Sequence, residues 1–466
     1  MADVSTVIKS QQHMIDCAEL PRTLMGGTRA MRKAGEKYLP KEYAESDDAY
    51  QARLRRSTLF NAFAKTVGDM TGKVFTKPVV LKDDVPPELV DFAEDIDLTG
   101  RHLNVFARDV FLDGMVTGGG YILVDLPPSV VREDGAPATI ADEKNAGLRP
   151  FLVYIPLENL LGWKSTMIDG AETLTQIRVK ECITVPDGDF NESEVEQIKV
   201  ITPGAWETWR KDAKGEWQLF DAGTSRLPKI TLVPFYINRT GFMTFEPPLE
   251  KLAEINAAHW QSQSDQRNIL HVARVPILFY AGCGADDKIV IGAGSAIRNS
   301  DVNAKLGYVE HSGAAISSGD KDLDNLERQM AAVGLQLLID GPGGQSATGE
   351  IRDNDKENSP LAMMARSLGD ALEQSLGYMA EYQGLGEDAG GEVEVNTDFG
   401  VSAMRGDLAP LTQAVIAGKI DNQTYIEALI RRGVLPETTD VEVTLDRIKA
   451  DSVVLNGPPM PLGPDA

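Results

Sequence analysis

The sequence predicts an α+β protein built from several structural units, and three observations carry that expectation. The chain is 466 residues long, more than a single hydrophobic core ordinarily serves. Up to about residue 240 short β-rich runs alternate with turns, and from Glu246 onward long stretches at helical spacing replace them. With 42% hydrophobic and 25% charged residues, the composition is that of a folded chain rather than a disordered or fibrous one.

Taken in order, residues 50 to 71 place Tyr50, Leu54, Phe60, Phe63, Val67 and Met70 at approximate helical spacing, with Arg53, Arg55 and Arg56 on the other turns. This predicts one helix with an inward face. A second helix is expected near 101 to 115, running into TGGGYILVDLPP. There the three glycines end it, and Tyr121 to Leu126 read as a buried strand closed by two prolines. Short strands continue through FLVYIPLENLLGW, TLTQIRVKECITV, VEQIKVITPG and TLVPFYINR, and several antiparallel pairs are expected among them.

The stretch EPPLEKLAEINAAHWQSQSDQRNILHVA opens with prolines and then runs 25 residues without a breaker, enough for a helix of roughly 40 Å. Its centre, Gln261 to Asn268, is polar on every side. A helix packed inside one subunit's core should not tolerate that, so this face is expected to meet water, neighbouring subunits or both. RVPILFYAGCGADDKIVIGAGSAIRNSDVNAKLGYVEHSG alternates β-rich runs with glycine turns and reads as a small β unit inserted between two helices.

The second of those helices, GDKDLDNLERQMAAVGLQLLID, carries Leu323, Leu326, Met330, Val333 and Leu337 as a heptad seam. Asp320, Asp322 and Asp324 are read as its first turn, complementing the helix dipole. GPGGQSATGEIRDNDKENSP follows at 341–360, glycine-rich and then polar. Ser359 and Pro360 are a cap and a first-turn proline, and Leu361, Met364, Leu368, Leu372, Leu376 and Met379 form another seam. Gly384 and Gly386 stop that helix. EVEVNTDFG is one more strand, residues 407 to 432 read as two short helices around GKID, and NGPPMPLGPDA is expected to be a flexible tail.

The charge balance, 70 acidic against 46 basic residues for a net −24, argues against tight nucleic-acid binding, which is driven by Lys and Arg. Cys17, Cys182 and Cys283 are isolated, odd in number and without metal spacing, which points to a reducing compartment. MADVSTVIKSQQHMIDCAEL has no apolar signal core, and no apolar run reaches the length of a membrane span.

Enzyme motifs fail one by one. Residues 341–360 contain no GK[ST], and GDMTGKV at 68–74 has one residue too few between its glycines and a valine where a hydroxyl is required. DGDFNE from Asp187 and DKDLDN from Asp320 lack the glycine and glutamate of a calcium loop. His13, His102, His259, His271 and His311 show no paired metal spacing, and no GxSxG elbow is present. The helices around Gly418 offer too few basic groups for a base reader, and Trp206, Trp209 and Trp217 read as packing in a hairpin. The expectation is a protein that is not an enzyme, with no cofactor and no metal.

Four stretches carry a resemblance: YLPKEYAESDDAYQARLRRSTLFNAFAKTVGDMTGKVFTKP, GGYILVDLPP, LVPFYINRTGFMTFEPPLEKLAEINAAHWQSQSDQRN and SATGEIRDNDKENSPLAMMARSLGDALEQSLGYM. Together they span most of 38–384, and they resemble the portal proteins (head-to-tail connectors) of tailed bacteriophages, the short-tailed phage and prophage type. The C-terminal 80 residues match by layout only.

The resemblance implies a portal fold: a mixed α/β wing over 1–245, stem helices at 246–273 and 319–340, and a small β-rich clip at 274–318 between them. It further implies a tunnel loop at 341–358, a long wing helix and strand over 359–402, a helical crown at 403–450 and a tail at 451–466. The implied assembly is a homo-oligomeric ring, usually of twelve subunits, at one vertex of the capsid. Terminase drives double-stranded DNA through its channel for packaging, and the same channel serves ejection. Terminase large subunit, a head–tail adaptor, and capsid and scaffolding proteins are the implied partners; DNA contact is transient and no membrane is involved. Gln345, Ser346, Arg352 and Lys356 would touch passing DNA. The implied location is the virion, after assembly in the cytoplasm of the infected bacterium. The competing reading is another phage structural protein, a head-completion or minor capsid component.

Overall fold

The computed structural model describes residues 3–127, 146–212, 214–274, 277–281, 305–309, 314–336, 359–386, 389–399, 419–431, 439–441 and 443–447, with isolated residues at 142, 303 and 415. The chain divides into two compact units, Met1–Thr397 and Asp398–Ala466.

The first unit opens with α1 (Lys9–Met25), α2 (Gly27–Ala34), α3 (Asp47–Arg56) and α4 (Ala62–Val74). The single helix expected over 50–71 is therefore two. At the break, Ser57 is extended and its hydroxyl donates back to Arg53 O at 2.9 Å, while the Asn61 side chain accepts the Ala64 N–H at 3.0 Å. These short polar side chains give the backbone partners outside the helical ladder. Phe60 lies in the break and is 45% exposed, so it does not belong to an inward stripe. GDMTGKV is the end of α4, which fixes its backbone as helix rather than phosphate loop.

β1 (Val80–Leu81) and α5 (Pro87–Phe92) lead to α6 (Leu103–Thr117) and β2 (Gly119–Asp125). Only the first of the three glycines ends α6. Gly118 has φ +96, and a Cβ there would lie 2.0 Å from Glu246 O, so side chain and conformation are both forbidden. Gly119 and Gly120 already belong to the strand. β3 (Phe151–Ile155) pairs with one side of β2. β4 (Leu160–Ile168), β5 (Ala171–Asp187), β6 (Asn191–Thr202), β7 (Ala205–Lys211) and β8 (Trp217–Thr224) form an antiparallel meander in sequence order. β9 (Leu232–Tyr236) returns to the other side of β2, giving the order β3-β2-β9. β10 (Arg239–Gly241) and β11 (Thr244–Phe245) close a small hairpin.

The main core joins both sheets to α1: Met14 and Ala18 pack with Tyr121, Leu123, Leu160, Ile177, Val179 and Phe245. On the meander's other face, Trp209 and Trp217 pack on Leu161, Ile198 and Val200. DGDFNE is the turn between β5 and β6, with Gly188 at φ +78. Across the sheet, Glu196 sits between Lys180 (2.7 Å) and Lys211 (2.8 Å), whose hydrogen bonds hold its carboxyl down to about 2.

The rest of the unit is helical apart from three short strands: α7 (Glu250–Ala273), β12 (Ile277–Ala281), β13 (Lys305–Val309), α8 (Ala314–Leu335), α9 (Pro360–Tyr382) and β14 (Val393–Glu394). β14 pairs with β1, Val80 opposite Glu394. The Ser359 hydroxyl accepts the Ala362 N–H at 3.2 Å and Pro360 occupies the first turn of α9, as the sequence indicated. Leu361, Met364, Leu368, Leu372, Leu376 and Met379 are all buried, against β9 and β2 among other elements.

In the second unit α10 (Asn422–Arg431) begins at Asp421, whose carboxylate accepts the Thr424 N–H at 2.7 Å. Residues 443–447 are also helical. Of the expected crown, 403–414, 416–418, 432–438, 442 and 448–450 lie outside the described residues, as does the tail at 451–466.

Candidate functional site

The feature that stands apart from the sheets is the pair α7 and α8 with the β12–β13 hairpin between them. The helices are antiparallel, because partners on α8 fall in number as those on α7 rise. His259 Nε2 lies 3.4 Å from Glu327, Ser262 Oγ donates to Asp322 at 2.7 Å, and Gln266 Nε2 donates to Asp320 Oδ1 and to Ile316 O, both at 2.8 Å. β12 and β13 pair antiparallel from Ile277 opposite Val309 to Ala281 opposite Lys305, so the inserted segment leaves and returns side by side.

The polar centre of α7 is not the wholly outward surface the sequence suggested. Asn256, His259, Ser264 and Gln266 are at most 5% exposed. Each finds polar partners inside the same chain. Asn256 accepts the Phe63 N–H at 2.9 Å and donates to Phe60 O at 2.8 Å. Ser57 and Ser264 share a hydroxyl bond of 2.7 Å, Gln261 donates to Tyr38 O at 3.1 Å, and Arg56 donates to Asn268 Oδ1 at 3.0 Å. A polar helix face is tolerated in an interior when its groups are paired this way, and mispairing is then costly. Three buried atoms on α7 have no protein partner among the described residues: His259 Nδ1, Trp260 Nε1 and Gln263 Oε1. The His259 ring stands 5.3 Å from Phe60. Burial pushes its pKa below the ordinary value, against the opposing pull of Glu327 and Asp322.

α8 starts at Ala314, so Asp320, Asp322 and Asp324 are past its first turn and do not complement the dipole there. Asp320 and Asp322 instead accept hydrogen bonds from α7. Along the seam Met330 is buried and Leu323, Leu326 and Val333 are half-buried; Leu337 lies outside the described residues. The outer side of α8 is open: Ser317, Lys321, Asp324 and Arg328 are exposed, and Leu335 is 55% exposed.

Spacing alone did not single out Arg53. It is 4% exposed and braces the turn before α3, with Nε and Nη2 donating to Glu45 at 2.9 and 2.8 Å and Nη2 to Pro40 O at 2.8 Å. It also reaches Asp265 of α7 at 3.5 Å. A second polar knot lines a cleft of about 460 Å³: Arg22 binds Glu158 (2.7 Å) and Asp113, which also accepts from Tyr154 OH at 2.5 Å. Arg22 ties both carboxylates, so the cleft reads as a brace between α1, α6 and the sheet. Among the described residues no group of three or more His, Cys, Asp or Glu could hold a metal ion, and no helix is long and apolar enough to cross a membrane. Gln345, Ser346, Arg352 and Lys356 lie outside the described residues.

A family described as "Domain of unknown function (DUF4055)" matches residues 248–383, the stretch from α7 through α9. No curated protein matches the chain. Among solved structures, the neck of a native gene transfer agent (GTA) particle computed with C12 symmetry is similar at 13% identity and TM-score 0.41, covering 79% of this chain and 89% of that one. The neck of an empty GTA particle computed with C6 symmetry gives 14% identity and TM-score 0.41, covering 80% of this chain and 89% of that one. The virion of the native GTA particle gives 13% identity and TM-score 0.40, covering 86% and 98%. Likeness at this level leaves function to be read from the chain's own residues.

Proposed function

We propose that this chain is a portal-type connector protein: copies assemble into a ring, α7 and α8 serve as stem helices, and the β12–β13 segment is a clip offered to other particle components. One observation carries the reading. Two long helices pair antiparallel, hold between them a hairpin that starts and ends at their junction, and leave the outer side of α8 polar and unpacked. An open helix face of that kind on α8 suits packing among copies or facing a water-filled channel better than it suits a monomer's surface. The sequence resemblance over 38–384 points to the same class, and the net charge of −24 suits a passage through which DNA slides without being held.

In this reading residues 341–358 form a loop that reaches passing DNA through Gln345, Ser346, Arg352 and Lys356, and the motor chemistry belongs to a terminase outside this chain. Adaptor, capsid and scaffolding proteins are the partners, and the virion is the location. Electron microscopy of the purified full chain tests the proposal. Rings with a central hole are expected; monomers or closed shells overturn it, shells favouring a minor capsid component instead. Shortening 341–358 is expected to leave rings intact and impair DNA packaging or retention, and loss of rings would contradict that assignment.

A further inference from the structure

The turn from Leu39 to Asp47 is held from within. Arg53 fastens Pro40 and Glu45, Tyr50 OH donates to Leu39 O at 3.0 Å, the Glu45 N–H donates to Glu42 O at 3.0 Å, and Lys41 Nζ meets Asp47 at 2.5 Å. This frame presents Tyr43, whose side chain is fully exposed. Exposed Glu42 lies on this turn and exposed Glu36 and Asp48 flank it, and none of the three has a cation within ion-pair distance among the described residues.

The opposite charge gathers at the other end of α3, about 15 Å along the helix. Arg55 is exposed, Arg56 reaches across to Asn268 of α7, and exposed Arg267 approaches Arg56 O at 3.5 Å. No carboxylate lies within ion-pair distance of these three guanidinium groups among the described residues. One short helix thus separates a tyrosine-tipped turn flanked by Glu36, Glu42 and Asp48 from a patch of Arg55, Arg56 and Arg267, and none of these six charges is in an ion pair among the described residues.

We infer that these are the two halves of one head-to-tail contact, in which the Tyr43 turn of one copy seats on the Arg55, Arg56 and Arg267 patch of the next. The occupant is a second copy because this chain carries both complementary surfaces, three charges on each without an ion pair among the described residues. A heterologous contact of this kind closes into a ring when the rotation between copies allows. The braced turn loses little conformational freedom on docking, and an exposed tyrosine on a rigid frame is a common anchor of interface energy. The inference rests on the ring reading and names where neighbours touch.

The test uses the full chain in three charge-reversed forms, followed by sedimentation and electron microscopy at about 0.1 M salt, where such contacts are incompletely screened. The forms are Glu42→Arg with Asp48→Arg, Arg55→Glu with Arg267→Glu, and all four together. Each two-site form should raise the concentration at half assembly roughly tenfold or more, and the four-site form should recover to within about threefold of the unaltered chain. Recovery on swapping both charges separates a lost contact from a folding defect, and Tyr43→Ala should weaken assembly without altering far-UV circular dichroism. Rings that form equally well in every variant, or two-site defects that persist in the four-site chain, overturn the contact and leave the ring reading standing. An unaltered chain that stays monomeric overturns both.

Discussion

α7 and α9 are nearly the same length, 24 and 23 residues, and both contribute to the interior of the first unit, yet different forces hold them. α9 is fixed by volume: of its thirteen buried residues only Ser375 and Tyr382 are polar, and Ser375 turns its hydroxyl back onto Ala371 O of its own helix at 2.7 Å. α7 is fixed by pairing, because Asn256, Ser264 and Gln266 reach named atoms on other elements. A volume-fixed helix tolerates apolar substitutions that keep the core filled. A pairing-fixed helix has one register, since each misplaced amide leaves two buried groups unpaired.

The largest break in this comparison is expected on α9. Leu372 is fully buried, and Leu372→Ala should cost about 2–5 kcal/mol through lost burial and a residual cavity. Urea unfolding followed by circular dichroism measures it, and a loss under about 1 kcal/mol would show that α9 is not held by volume.

Next comes Asn256→Ala, expected to cost about 1–3 kcal/mol because it strands the Phe63 N–H and leaves the Phe60 carbonyl with the Ala62 N–H as its remaining donor. Ser375→Ala, a smaller polar deletion whose one partner among the described residues is its own helix, should stay within about 0.5 kcal/mol. Equal losses at the two sites would erase the distinction between the helices. Between these two falls Ser359→Ala at the α9 cap, about 1 kcal/mol. Hydrogen exchange should localise that loss to the first turn after Pro360, with the amides near Leu376 little changed.

The same contrast explains what the sequence disclosed. Burial by volume leaves a periodic signature, so α9, its cap and its stop were readable to the residue. The alternation of β-rich runs and turns likewise announced the antiparallel strands. Burial by pairing leaves none: Gln261 to Asn268 has the composition of a solvated face, and the partners Ser57, Tyr38 and Ile316 are remote in sequence or contribute backbone atoms. Arg53 was hidden for the same reason, being a charge on a short helix whose burial depends on a turn folding back eight residues earlier. The split at Ser57 to Asn61 was missed because Phe60 completes a helical stripe that the flanking hydrogen-bonding side chains interrupt.

The smallest expected effect is a slope with pH, confined to α7 and α8. Burial holds the His259 pKa below its ordinary value of 6.5, with Glu327 and Asp322 of α8 pulling the other way. Below about 6.5 the unfolded chain therefore binds this proton more readily than the folded one. Stability from the neutral buried imidazole is fully present above that pH and is lost as pH falls toward the depressed folded value. Amides of α7 and α8, corrected for intrinsic exchange, should lose protection as pH falls below about 6.5, relative to those of α9, which buries no histidine. His259→Gln should flatten this difference, and Glu327→Gln should extend the loss to lower pH because it removes a charge that favours the imidazolium. An unchanged slope in His259→Gln would transfer the effect to other groups and leave the two helices alike in their response to acid.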